Sequence, residues 1–535
     1  MRIDHARLGE TIGVQFDASN VCIQYSIYMQ AQPGSPAAKH TVESQRSFVR
    51  GLGLFDSIMI VVGVMIGSGI FIVPSEMGRE IGSPGWLVMA WVFAGALTVT
   101  GALCYGELAA MMPGAGGMYV YLREAYSPLW GFLYGWTLFT VIQTGTIAAV
   151  AIACARFAGL FLPKISETNY LWGPVRVSQH YAFSLSTTQA AALFIIALIG
   201  YTNSRGLSYG KFVQNVLTVI KTVALLGLIV LGFAIGRNVA AIHANFAHFW
   251  STTAPVSKEA FDVATPLGLL IVICISQTGA LFSADSWHDI TFAGGEVRDA
   301  RRTLPLSLAL GTGLVIVMYV LANLAYLVVL PLTQIQNAPD DRVGSLMMER
   351  LFPAFGGLAM AAAIICSTMG TVNALTLAGA RALYAMARDR LFLPGAARLN
   401  KAHVPGFALL IQGLWSVFLV LPRTYDPATG QYGNVYSNLL DYVISAALIF
   451  YILTIAGVIR LRFKRPDAER PYRTVAYPWL PIFYIAGALT IVVCLAMYRA
   501  ATTWPGFVIV ALGMPVYLLL KRLVNRRPAQ AGNGL

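Results

Sequence analysis

The chain has 535 residues, of which 57% are hydrophobic and 11% charged, where a soluble domain carries about 25% charged residues. Such a composition argues against a soluble enzyme and points to a polytopic membrane protein. The formal charge of +13 is spread over short connections between apolar runs, so it reads as membrane topology and no nucleic-acid partner is expected.

In chain order, residues 1–50 come first. They contain no continuous apolar core of the kind a secretory signal has, and "AQPGSPAAKH" reads as a disordered cytoplasmic tail. From Leu54 to Leu523, apolar runs of about 20 residues recur and give about twelve candidate membrane helices. They centre near Ile66, Val99, Thr144, Phe194, Leu225, Cys274, Val315, Ile364, Leu414, Leu448, Thr490 and Ile509. Residues 51–525 are therefore expected to form one transmembrane domain, with 526–535 as a short cytoplasmic tail. Lysine and arginine concentrate in every second connection, most densely in "RLRFKRPDAERPYR" from Arg460 to Arg473. With both termini in the cytoplasm this bias obeys the positive-inside rule. Of the six cysteines, Cys22 lies in the tail and the others fall inside candidate helices, so no disulfide framework is expected.

The first candidate helix contains "VGVMIGSGIF", Val62 to Phe71. Glycine costs roughly 1 kcal/mol per position relative to alanine in a helix interior, so Gly63, Gly67 and Gly69 weaken this span at its centre. A helix broken at Gly67-Ser68-Gly69 would present unpaired N–H groups suited to a carboxylate. Carbonyls near Met65 and Ile66, at the end of the preceding half-helix, would suit an ammonium group. The alternative is that small residues simply let two helices approach closely. A second polar interruption, "LFSADSWHDITFAGGE" from Leu281 to Glu296, lies in the sixth candidate span. Breaks five spans apart are the pattern of an inverted-repeat transporter whose substrate binds where they meet.

Lys221 stands about 13 Å into the fifth span if that span begins near Phe212, close to the middle of a hydrocarbon core about 30 Å thick. An ionisable residue there is costly, which makes it a functional candidate; the alternative is a lysine that fixes helix packing. In the sixth segment Asp285 and His288 are candidates for an ammonium or a proton, and Phe282 and Trp287 for covering a substrate. Glu107 near the end of the second span reads as a structural ion-pair partner, and Arg156 and Arg381, toward span ends, as side chains that snorkel or pair locally. Signatures of soluble enzymes (HExxH, paired CxxC, GxGxxG, GxxxxGK[ST]) are missing, and the scattered histidines argue against a metal site. No catalytic residue, cofactor or metal is expected.

Four stretches resemble the amino acid-polyamine-organocation superfamily, and within it the L-type amino acid transporters and their bacterial relatives: "GVMIGSGIF", "CYGELAAMMPGAGGMYVYLREAY", "SWHDITFAGGEVRDARRTLPLSL" and "STMGTVNALTLAGARALYAMARDRLFLP". The resemblance implies an all-α polytopic fold of twelve transmembrane helices: a leucine-transporter-like inverted repeat of five plus five, with broken helices 1 and 6, and two C-terminal helices. It implies a permease of the inner membrane that moves amino acids by alternating access, as a sodium-independent exchanger or by proton-coupled uptake. A polyamine or other amine carrier of the same superfamily is the alternative. By the same resemblance Ser68 and Gly69 hold the substrate carboxylate, carbonyls of Met65, Phe282 and Asp285 the amino group, and Phe282 gates the site beside Trp287. Lys221 would fill the place of a sodium ion, facing the first break and Ser367 and Thr368 of the eighth span. The chain departs from the family at Ala284-Asp285-Ser286-Trp287, where many relatives have Tyr-Asp-Gly-Trp or Tyr-Gly-Gly-Trp. Pro163 to Thr187 lacks the cysteine by which animal light subunits bind a heavy chain, so no such covalent partner is expected.

Overall fold

The computed structural model describes residues 51–114, 116–205, 210–252, 265–402, 404–427 and 430–526. The tail 1–50 with Cys22, the connection 253–264 with Lys258, and 527–535 lie outside the described residues.

Long apolar helices dominate because these runs contain few breakers and satisfy their own backbone. Those used below are α1 (Leu54–Met65), α2 (Gly69–Ile81), α3 (Pro84–Met111), α4 (Gly117–Ala125), α5 (Pro128–Ala158), α6 (Thr187–Ser204), α7 (Gly210–Ala234), α8 (Val239–Phe246), α9 (Pro266–Ser283), α10 (Ala300–Val329), α11 (Val343–Leu351), α12 (Gly356–Arg388), α13 (Gly406–Val420), α14 (Val435–Lys464), α15 (Trp479–Tyr498) and α16 (Ala500–Arg526). Among the described residues nine helices are long and apolar enough to cross a membrane, and α1 with α2 makes a tenth as one span bent by 42°. The shorter α6 and α13 are also apolar along most of their length. Phe194, Val230, Leu314, Leu414 and Leu512 are exposed on helix faces. In water such faces would be a liability, whereas lipid suits them. The chain is a multi-pass membrane protein.

The expectation of an all-α chain needs correction. A three-stranded antiparallel sheet joins two connections at one end of the bundle: β1 (Tyr170–Arg176) pairs with β2 (Tyr181–Ser186), and β2 with β3 (Pro422–Thr424). "YAFSLS" alternates buried and half-buried side chains, the period-2 pattern of a strand, over too few residues to compete with the apolar runs around it. Arg423 anchors the sheet, donating to the Tyr170 hydroxyl at 2.6 Å and to the Gly433 carbonyl at 2.9 Å.

The opposite end is held by Glu107 at the end of α3. Its carboxylate accepts from Arg462 Nε at 2.9 Å, Arg462 Nη2 at 2.7 Å and the Thr474 N–H at 2.7 Å, and Arg470 Nε lies 3.4 Å away. This is the structural pairing expected for Glu107. A buried carboxylate with bidentate arginine contacts is worth more than a surface pair, so Glu107→Gln should destabilise the protein by about 2 kcal/mol. The check is a lowered melting temperature in detergent; an unchanged one would show that the clamp carries no stability.

Arg381 pairs with Glu296 at 3.3 Å, as expected locally. Arg156 does not snorkel. It is buried and pairs locally with Glu167 at 2.6 Å, and Asn434 Oδ1 and the face of Tyr436 at the start of α14 also touch it.

Candidate functional site

The first span breaks where its sequence is weakest. α1 stops at Met65, Ile66 turns to an extended ψ of 92°, and α2 starts at Gly69. The first N–H groups of α2 have no partner within their own helix, and the positive end of its dipole faces the break. α9 likewise ends at Ser283, and the chain passes through Ala284 and a left-handed Ser286 (φ 65°) into a 3₁₀ run, Trp287–Glu296. Ser286 is thus a non-glycine residue in a conformation that favours glycine.

The two breaks are adjacent. A Cβ added to Gly69 would lie 2.1 Å from Ser283 Oγ and 2.9 Å from Ser283 Cα. Tyr319 of α10 fastens them, its hydroxyl lying 2.8 Å from the Met65 carbonyl and 3.0 Å from the Ser283 carbonyl. Between them is a cavity of about 20 Å³ lined by Met65, Gly67, Ser68, Gly69, Phe282, Ser283, Asp285, Ser286, Thr146, Val150, Thr371 and Leu375. That is room for about one water, so the structure is closed around the breaks and an amino acid enters only if helices move apart.

Of the residues singled out from the sequence, Met65, Gly67, Ser68, Gly69, Phe282 and Asp285 meet at this cavity. Ile66 and Trp287 do not line it. The Ile66 carbonyl instead accepts from Ser367 Oγ at 3.3 Å, and Trp287 packs edge-on against Tyr105 with centroids 4.7 Å apart. Phe282 lies edge-on to Tyr436, whose hydroxyl is 3.4 Å from Ser68 Oγ. Asp285 Oδ1 accepts from the Tyr451 hydroxyl of α14. The Met65 carbonyl already serves Tyr319, so an ammonium must use its second lone pair or displace that hydroxyl.

Lys221 is buried, with its ammonium on the Gly63 carbonyl of α1 and 3.0 Å from Thr371 Oγ1 of α12. The expected contacts on α12 shift by one helical turn. Thr371 is the lysine's partner, Ser367 serves Ile66, and Thr368 turns to the Ile364 and Ile365 carbonyls of its own helix. Positions 367 and 371 share a helix face, while 368 points elsewhere. Gly63 permits the contact, since a Cβ there would meet Thr218 Oγ1 of α7 at 2.5 Å.

Tyr319, Thr371, Thr146 and Val150 were not found from the sequence. Thr371 and Thr146 are isolated polar residues in apolar helices, a weak signal. Tyr319 sits in "VIVMYVLANLAY", where nothing separates it from a packing tyrosine.

Two broken helices facing each other across a small cavity, inside a bundle with an apolar exterior, define a membrane transporter. Residues 52–519 match the amino acid permease family model, and the chain belongs to that family, part of the amino acid-polyamine-organocation superfamily. It is similar to the mouse b(0,+)-type amino acid transporter 1, 28% identical over 455 residues that cover 83% of this chain and 82% of the relative. It is 26% identical to the serine/threonine exchanger SteT of Bacillus subtilis over 475 residues, 88% of this chain and 97% of SteT. The human Asc-type amino acid transporter 1 is 25% identical over 473 residues, 88% of this chain and 82% of that protein. The family and these relatives are transporters, not enzymes.

Proposed function

We propose that this chain is a secondary transporter that moves amino acids across the cytoplasmic membrane by alternating access, without sodium. The observation that carries the reading is the meeting of the two helix breaks at one cavity, with Ser68 and Gly69 at the start of α2. The substrate carboxylate binds the N–H groups there, its ammonium sits among carbonyls of Met65, Phe282 and Asp285, and Phe282 closes over it. Gly67 supplies backbone with little side-chain crowding. In this reading α6 and α13 complete twelve spans. The first ten form an inverted repeat, α15 and α16 follow it, and both termini lie in the cytoplasm, consistent with the basic end at Arg460 to Arg473.

Lys221 stands where a cation would otherwise join α1 to α12, which supports sodium independence. An amine or polyamine substrate is favoured by one observation, the acidic residue Asp285 among those lining the cavity. The carboxylate-binding break favours an amino acid instead.

Counterflow in proteoliposomes tests the proposal. Vesicles preloaded with unlabelled amino acids should take up labelled amino acid equally well in sodium and in potassium media. If none of the amino acids exchanges, the proposal fails; exchange of amines alone would select the alternative.

A further inference from the structure

The Asp285 side chain touches more than the cavity. Its Oδ1 accepts from the Tyr451 hydroxyl, and that same hydroxyl lies 3.3 Å from His288 Nδ1. On the other side of the imidazole, His288 Nε2 is 3.7 Å from Asp289 Oδ1. Asp285, His288 and Asp289 are all buried, and Asp289 Oδ2 makes no hydrogen bond. An orphaned carboxylate oxygen in a membrane interior is costly unless function retains it.

The surroundings leave these groups free to exchange a proton among themselves. Tyr105 of α3 flanks the imidazole with centroids 6.3 Å apart, Tyr134 of α5 packs edge-on against Phe450 of α14, and Tyr484 of α15 lies with Trp287 beside Gly101. Among the described residues no lysine or arginine pairs with either aspartate. The charged groups of α3 and α14 have other partners: Glu107 and Arg462 pair with each other, Arg460 donates to the Ala125 carbonyl and Asp441 accepts from Thr502.

We propose that Asp285, Tyr451, His288 and Asp289 form a proton relay that begins at the substrate cavity and couples uptake to proton entry. The inference rests on the amino acid transporter reading above. Asp285 takes a proton from the cavity side. Its O–H then donates to the Tyr451 oxygen while the Tyr451 proton passes to His288 Nδ1. His288, starting with its proton on Nε2, gives that proton to Asp289 once a side-chain rotation closes the 3.7 Å gap. One proton has moved from Asp285 to Asp289, and the tyrosine and histidine end neutral, the histidine as its other tautomer. The 3₁₀ run carrying Asp289 leads from the break to the end of the bundle where Leu52 meets Val297, so the relay points toward the face at which the chain enters.

The test uses full-length protein in proteoliposomes with the membrane potential clamped and an inward pH gradient of one unit. One proton per substrate predicts accumulation of about tenfold in the wild type. Asp289→Asn should keep counterflow within about twofold of wild type yet lose accumulation. His288→Gln is the second variant should Asp289→Asn fail to fold. Accumulation by either variant equal to wild type overturns the relay. Counterflow by the wild type without any response to the gradient overturns coupling while leaving the transporter reading intact. Absence of both counterflow and uptake defeats that reading and the relay with it.

Discussion

Lys221→Ala should lower amino acid counterflow by at least about tenfold, one order of magnitude being about 1.4 kcal/mol in the transport barrier, while the amount of folded protein stays within about twofold. Lys221 links α7 to the Gly63 carbonyl of α1 and to Thr371, which itself lines the cavity. Removing it frees both contacts next to the break, and α1 loses its tie to the helices it must move against. The stability cost is small for a separate reason. The ammonium has a carbonyl and a hydroxyl as partners and, among the described residues, no carboxylate, so its burial is expensive and its loss offsets part of the two hydrogen bonds. A purely structural lysine would show the reverse pattern, with low protein levels and normal specific transport. Wild-type counterflow in Lys221→Ala would end its assigned role.

The glycines of the first break should separate sharply on substitution. Gly69→Ala places a Cβ 2.1 Å from Ser283 Oγ, 2.7 Å from Ser283 Cβ and 2.9 Å from Ser283 Cα. Rotating the serine hydroxyl relieves only the first contact, so the breaks must part. Overpacking of this kind costs about 1–3 kcal/mol, here at the site itself, and counterflow should fall by about tenfold or more. Gly67→Ala should do less damage, because its Cβ would find its nearest protein atoms at 3.9 and 4.0 Å, ordinary contact distance, and would crowd only the substrate. The comparison is made by counterflow normalised to protein level. Equal damage from the two substitutions would mean that backbone freedom, not space, is what the break requires.

This contrast refines what the glycine-rich stretch says. Reading it as a helix break and reading it as a close-packing motif looked like alternatives, yet the structure contains both. Gly63 and Gly69 are packing glycines against α7 and α9, and the backbone still opens between Met65 and Gly69. Local signals, such as breaker residues in an apolar run or a charge at mid-span, were legible because each is unfavourable where it stands. Lys221, Ser68, Gly69 and Asp285 stand out in this way.

What the sequence concealed depends on helix rotation and on contacts between distant segments. Thr371 rather than Thr368 meets Lys221 because of how α12 is turned. Tyr319 reaches the Met65 and Ser283 carbonyls only because α10 crosses behind both breaks. Arg156 pairs locally with Glu167, one of the two expected outcomes, but its other partner Asn434 comes from 278 residues further along the chain, which no local pattern announces. The nonlocal strand β3 offers just three residues of pattern.

The most direct measurement is a structure of the protein bound to an amino acid that it exchanges. The carboxylate is expected within hydrogen-bonding distance of the Ser68 and Gly69 N–H groups, with the cavity widened and the Tyr319 bridge between the breaks altered. An amino acid found instead in the larger pocket of about 360 Å³ beside Tyr432, Arg499 and Thr502, with the two breaks still closed on each other, would contradict it.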